Sequence, residues 1–235
     1  MSAFYTLHRD LPREGPGEAE DVAWAAGLCS LRGDADIADI ACGPGSDIAA
    51  LLHAAPGGHV MALDKTAHFV DVARSVWGTD PRVMVLRADM ARIANSYDMI
   101  WCAGAVYVIG VTQALQGWRK SLKPGGVVAF SEACWFTDTP SAAALANWAD
   151  YPAMTDAAGI AARVRAAGYD VLGTRRLSDA AWEDYYAPME ARIAALRHGA
   201  DADLAQVLNA AEAEIATWRA CRVEFGYVLM VVQPV

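Results

Sequence analysis

Apolar residues change their spacing several times along the chain, and each change marks an element. Up to about Gly17 no period holds: Pro12, Gly15, Pro16 and Gly17 interrupt any helix, so the stretch reads as irregular. Between Glu18 and Leu31 the residues Val22, Ala26 and Cys29, with Ala25, recur at helical spacing. The acidic run 18–21 suits the N-terminus of that helix. Short, largely apolar runs follow at 38–42, 59–63, 82–86, 97–102 and 127–133, and these predict strands. Helical stretches at 47–55, 66–77 and 112–122 lie among them, the first capped by Ser46. The breakers Pro56-Gly57-Gly58 and Lys123-Pro124-Gly125-Gly126 close two of these helices.

This alternation of strand and helix indicates βαβ units. The fold class it predicts is α/β, a doubly wound, Rossmann-like and mostly parallel sheet with helices on both faces and right-handed crossovers. Strands of largely continuous apolar residues fit burial on two sides. Beyond residue 133 the pattern predicts a helix at 155–167 ending at Gly168 and a strand at 169–177. Two helices follow at 178–196 and 201–218, separated by His198-Gly199, and then a final strand at 222–232. No repeat or low-complexity tract is visible.

At 235 residues the chain has the size of one large domain, with or without an appendage, and its 55% hydrophobic content is that of an ordinary globular protein. The formal net charge of −9 argues against nucleic acid or an anionic membrane as a partner. No apolar run reaches 18 residues, and the first residues lack the apolar stretch of a signal peptide; a cytoplasmic location is the expectation. The five cysteines are odd in number, widely spaced and without a CxxC pair, which reads as free thiols. The five histidines show no i, i+4 pair, so no metal site is expected. Aromatic residues on the late helices leave a homodimer open.

In open α/β sheets, ligands bind at the carboxyl ends of the strands. The first strand runs into Asp39-Ile40-Ala41-Cys42-Gly43-Pro44-Gly45-Ser46, where glycines permit a tight turn and the next helix offers free amides to an anion. Asp64 follows the second strand, 19 residues past Gly45, and can accept from both hydroxyls of a ribose. Asp89 follows the third and could accept from the exocyclic amine of an adenine, or could simply cap the next turn. One nucleoside-shaped ligand would meet all three. A dinucleotide is disfavoured because Ile48 stands where the GxGxxG fingerprint needs a small residue, and no GxxxxGK[ST] loop exists.

The pattern resembles the class I S-adenosylmethionine-dependent methyltransferases. DIACGPGS looks like their first motif, with Ala41 replacing a usual glycine. Asp64 after HVMAL, Ala88-Asp89-Met90, YDMIWCAGAVYVIG and WRKSLKPGGVVAFSE match the segments that follow, over roughly residues 14–133. The resemblance implies a seven-stranded sheet with an antiparallel last strand and a helical insertion before it. It divides a single 1–235 domain into a cover segment (1–17), a cofactor core (18–133), a substrate-side and lid region (134–221) and the last strand (222–235). It implies S-adenosylmethionine as cofactor, held by Asp39, Gly43, Gly45, Asp64, Lys65, Asp89, Met90 and Ala103. In the cover segment it adds Gly15 and Arg13, which could pair with the carboxylate of the methionine tail.

The acceptor would lie at the same edge, near Tyr107, Glu132, Trp135, Phe136 and, from the insertion, Trp182, Tyr185 and Tyr186; packing is the competing reading for the aromatics. Glu132 is the candidate general base, and Tyr107 the other candidate catalytic residue. Positions 103–107 read Ala-Gly-Ala-Val-Tyr rather than Asn/Asp-Pro-Pro-aromatic, and no Pro-Cys dipeptide exists. With the acidic charge this favours a small-molecule acceptor, as in the bacterial branch that REGPGEAE and WEDYYAPME resemble. An NAD(P)-dependent oxidoreductase and a non-catalytic S-adenosylmethionine-binding protein are the rivals.

Overall fold

A computed structural model describes residues 2–235. Seven strands form one sheet in the order β3-β2-β1-β4-β5-β8-β7: β1 Asp36–Ile40, β2 His59–Asp64, β3 Val83–Arg87, β4 Tyr97–Cys102, β5 Leu122–Trp135, β7 Tyr169–Arg176 and β8 Phe225–Pro234. The two-residue β6 (Thr155–Asp156) adds an eighth, parallel to the end of β5. β1 to β5 run parallel, and β8 runs antiparallel to both β5 and β7. From β1 the chain builds outward through β2 and β3, then returns to place β4 on the other side. The strand order therefore reverses between β1 and β4, where a crevice opens at the carboxyl ends.

Helices cover both faces. α2 (Ala19–Leu28), α3 (Ile48–Ala54) and α4 (Ala67–Trp77) bury Val22, Ala25, Leu51, Val70 and Ala73 on one side. On the other, α5 (Val111–Trp118) and α7 (Ala157–Ala166) bury Leu115, Trp118, Ile160 and Val164. Trp118 Nε1 donates to the carbonyl of Met90 at 2.8 Å, so even this wholly buried indole has its partner. A third apolar cluster joins α8 (Asp179–Arg197), α9 (Ala202–Cys221) and α1 (Ala3–His8) above the carboxyl edge.

Five details depart from the pattern reading. The N-terminal stretch is not irregular throughout: α1 forms before the Pro and Gly breakers, buries Leu7, and has its Thr6 and Leu7 carbonyls bound by Arg192. Ser46 does not cap α3; its hydroxyl donates to Pro12 O at 2.6 Å, and Asp47 stands at the cap position. Lys123–Gly126 is not a free turn but the start of β5, with Lys123 held between Asp36 and Asp98. β3 buries only Val85, leaving Met84 and Leu86 exposed, because it is an edge strand and no helix forms between it and β4. A short helix, α6 (Ala142–Asn147), capped by Ser141, falls in a segment whose sequence carried no strong period.

Candidate active site

The turns after β1, β2 and β3 are tied to one another. Cys42 N donates to Leu63 O at 3.0 Å, Gly43 N to Asp64 Oδ2 at 3.1 Å, and Ala88 N to Asp64 O at 3.0 Å. Gly43 (φ +55°) and Gly45 (φ +90°) both take left-handed backbone that glycine adopts at low cost. Ala41, the residue replacing a glycine, also lies there at φ +57°. Asp64 is buried, and its other oxygen accepts from Thr66 N at 2.7 Å. Lys65 beside it is exposed.

Asp39 occupies the carboxyl end of β1, opposite Ala62 on β2 and Trp101 on β4. It is buried, its Oδ2 has no partner, and burial followed by the charges of Asp47 and Asp64 holds its carboxyl well above the usual range. A buried carboxylate oxygen without a donor is costly. A ligand carrying N–H or O–H groups into the β1–β4 crevice would supply the missing partner.

The other residues singled out in the sequence are distributed as follows. Asp89 is exposed, and one carboxylate oxygen accepts from Ala91 N at 2.8 Å, which is the capping arrangement; its second oxygen is free of protein partners. Met90 is buried in the core beneath it. Ala103 and Gly104 follow β4, and Gly104 (φ +66°) donates its amide to Ser131 Oγ at 2.7 Å. Arg13 turns to Gly15 O and Asp47 Oδ1, and Asp47 also accepts from Trp101 Nε1 at 2.9 Å. Trp135 packs edge-on against Phe225, and Phe136 lies 3.8 Å beneath the Arg176 guanidinium, so neither ring faces the crevice mouth.

Next to the crevice lies a cavity of about 400 Å³, reached from Gly15 and Pro16 of the N-terminal segment and from Gly104. Tyr107 and Tyr185 line it, as do Trp182 and Tyr186. Glu132, on β5, is buried behind it. Its Oε1 accepts from Ala133 N at 3.1 Å and its Oε2 has no partner. Burial pushes the Glu132 carboxyl up to about 7, against the opposing pull of the Tyr151 hydroxyl, the Ala133 amide and the Arg163 charge. Tyr151 in turn is pushed up to about 12, by burial and then by Glu132. An acid poised near neutrality beside a cavity can hold or release a proton.

Several wall residues were not legible in the sequence. His8 Nδ1 bonds Glu14 Oε2 at 2.8 Å, and Glu14 lies over Gly43. Burial raises the Glu14 carboxyl, and its Oε1 is left without a partner. Glu214 of α9 accepts from Tyr186 Oη at 3.0 Å, and burial raises it too. Tyr227 comes from β8, and Trp148 and Tyr151 follow α6. Among the described residues, five buried side-chain polar atoms lack a partner, and four of them (on Glu14, Asp39, Glu132 and Trp148) belong to this crevice and cavity. Native interiors leave few such atoms, so their collection here marks a binding region.

Comparison with known proteins agrees. The sequence profile of a methyltransferase-domain family matches residues 37–126. That segment resembles a methyltransferase domain. Its whole architecture superimposes on two S-adenosylmethionine-dependent methyltransferases solved with S-adenosylhomocysteine. One is from Geobacter sulfurreducens, at TM-score 0.82 and 19% identity, covering 99% of this chain and 98% of the other. The second, from Thiobacillus denitrificans, matches at TM-score 0.82 and 20% identity with the same coverage. The [4+2]-cyclase SpnF is also similar, at TM-score 0.70 and 18% identity over 92% of this chain and 81% of that one. A search of curated proteins finds no significant match. The fold is thus the one these two structures share: a mostly parallel sheet, reversed at its last strand, wrapped by helices.

Proposed function

We propose that this chain transfers the methyl group of S-adenosylmethionine to a small-molecule acceptor held in the cavity. The observation that carries the reading is Asp39, a buried carboxyl with an unpartnered oxygen at the reversal of strand order, beside the Gly43–Asp64 unit. The fit to the cofactor is chemical. An ammonium group would satisfy Asp39, ribose hydroxyls would find Asp64, and an adenine amine would find the free oxygen of Asp89. Lys65, Met90 and Ala103 directly follow Asp64, Asp89 and β4 in the chain, while Gly43 and Gly45 let the turn take left-handed backbone. Arg13 and Gly15 belong to the segment that covers it. When bound, S-adenosylmethionine supplies a methyl carbon that bonds to the acceptor as its bond to sulfur breaks, the electron pair staying on sulfur.

The protein's part is to orient the acceptor, exclude water and take up a proton. Glu132 is the group for the proton, reached from the cavity past Tyr151, and Tyr107 and Tyr185 orient the acceptor. The net charge of −9 supports a small molecule over nucleic acid, and five free cysteines suit the reducing cytoplasm. The test is calorimetry with S-adenosylhomocysteine and, separately, NAD. Binding of the first and not the second is expected, followed by labelled-methyl transfer into a metabolite extract; the reverse preference would sink the assignment.

A further inference from the structure

The cavity wall carries charge of one sign. Three carboxylic acids face it: Glu14 from the N-terminal segment, Asp150 after α6 and Glu214 from α9. No lysine or arginine lines it. The one wall residue able to become cationic is His8, and its ring is already committed to Glu14 and stacked on Phe4 at 4.0 Å. Behind the wall stand Glu132, whose charge is felt by Tyr107, Tyr151 and Tyr227, and a cation, Arg163, whose charge acts on Tyr151 and Glu132.

The rest of the wall is aromatic. Tyr107 and Tyr151 meet edge to face at 5.8 Å, Trp148 lies 6.4 Å from Tyr151 and 6.3 Å from Tyr227, and Tyr185 closes the side made by α8. Ring faces attract cations, and the attraction grows as water is excluded. Carboxyls alone would suit any hydrogen-bond donor, and rings alone any flat apolar group. A cavity that combines them with no basic side chain fits an organic cation and disfavours an anion. Three polar atoms here await a partner: the acceptors Glu14 Oε1 at the wall and Glu132 Oε2 behind it, and the donor Trp148 Nε1.

We infer that the cavity between the N-terminal segment, α6, α8 and α9 binds an organic ammonium, so that the acceptor is a basic amine with an apolar body. The inference rests on the methyl-transfer reading, because it is the cavity's opening at Gly15 and Gly104 that makes its occupant the acceptor. Glu214 holds the ammonium from α9, Glu14 from the N-terminal segment, and the rings of Tyr107, Tyr151 and Tyr227 enclose its substituents. An anionic compound of the same size meets only like charge.

The experiment is calorimetry on the full chain saturated with S-adenosylhomocysteine, using 2-phenylethylamine, its neutral counterpart 2-phenylethanol and the anionic 3-phenylpropionate. The amine should bind at least tenfold tighter than the alcohol, and the carboxylate more weakly than either. Glu214→Gln, which keeps an acceptor for Tyr186, should shrink the amine-to-alcohol ratio at least threefold. If S-adenosylhomocysteine binds but the amine shows no preference, or none of the three probes binds, the ammonium site is refuted and methyl transfer stands. If S-adenosylhomocysteine itself fails to bind, the methyl-transfer reading falls first.

Discussion

The amide of Gly43 donates to Asp64 Oδ2 at 3.1 Å, so the turn after β1 and the acid ending β2 form one unit. Asp64 serves two backbone donors while retaining lone pairs for a ligand. Replacing it with alanine removes both roles. Asp64→Ala should weaken S-adenosylhomocysteine binding by about 2–4 kcal/mol in calorimetry, since charged hydrogen bonds are lost and buried amides are stranded. Unchanged affinity in a folded variant would remove Asp64 from the cofactor site.

Gly45 is the more constrained of the two glycines in that turn. At φ +90° a β-carbon there would stand 3.0 Å from Ile48 Cδ1 and 3.3 Å from Ala73 Cβ, whereas at Gly43 it would meet only the flexible Glu14 side chain at 3.4 Å. Gly45→Ala should therefore cost about 2–4 kcal/mol, from left-handed backbone plus overpacking. Gly43→Ala should cost about 1–2 kcal/mol from the backbone alone. Urea unfolding of the two variants checks the order.

Glu132 makes stability fall as pH rises. Its carboxyl titrates at about 7 when folded against 4.5 when exposed. Below 4.5 both states are protonated, and the buried neutral acid costs nothing. Between 4.5 and 7 the unfolded chain releases the proton first, which favours unfolding. Above 7 the penalty is complete, on the order of 3 kcal/mol. Glu132→Gln, neutral throughout, should be more stable than wild type by up to about 3 kcal/mol at pH 8 and level with it only near pH 4. In turnover the same variant should slow methyl transfer if the acceptor must lose a proton.

Arg192 ties the cover segment down. It donates to Leu7 O at 2.7 Å and Thr6 O at 2.8 Å and pairs with Asp10 at 2.8 Å, joining α8 to the end of α1. Arg192→Ala should lower stability by about 1–2 kcal/mol, a Tm drop of several degrees for a chain of this size. Limited proteolysis should show earlier cleavage near residues 9–17. Equal cleavage rates would mean that the segment is held elsewhere, as by Ser46 on Pro12 O.

The parallel strands and the turns at their ends were legible because local patterns decide them. Runs such as HVMAL and YDMIWC are buried strands wherever βαβ units stack, and the glycines and Asp64 sit at strand ends by chain order alone. The cavity was legible only in part, through Tyr107, Trp182, Tyr185 and Tyr186. Glu14, Tyr151, Glu214 and Tyr227 come from four distant segments, and no spacing rule links residues brought together by tertiary packing. Asp39 was visible as a strand acid, but its lack of a partner is a property of the assembled core. Trp135 sat at the right strand end, yet the edge contact with Phe225 turned it into packing.

The α8–α9 hairpin leaves the sheet from β7 and rejoins it at β8, and the pairing of Arg176 with Val228 clamps its two roots. Substitutions on its inner face, at Met189 or Ala211, would leave that clamp and the glycine turn untouched while reshaping the cavity wall. Diversity can thus accumulate on the hairpin's inner face without disturbing the turns after β1 and β2.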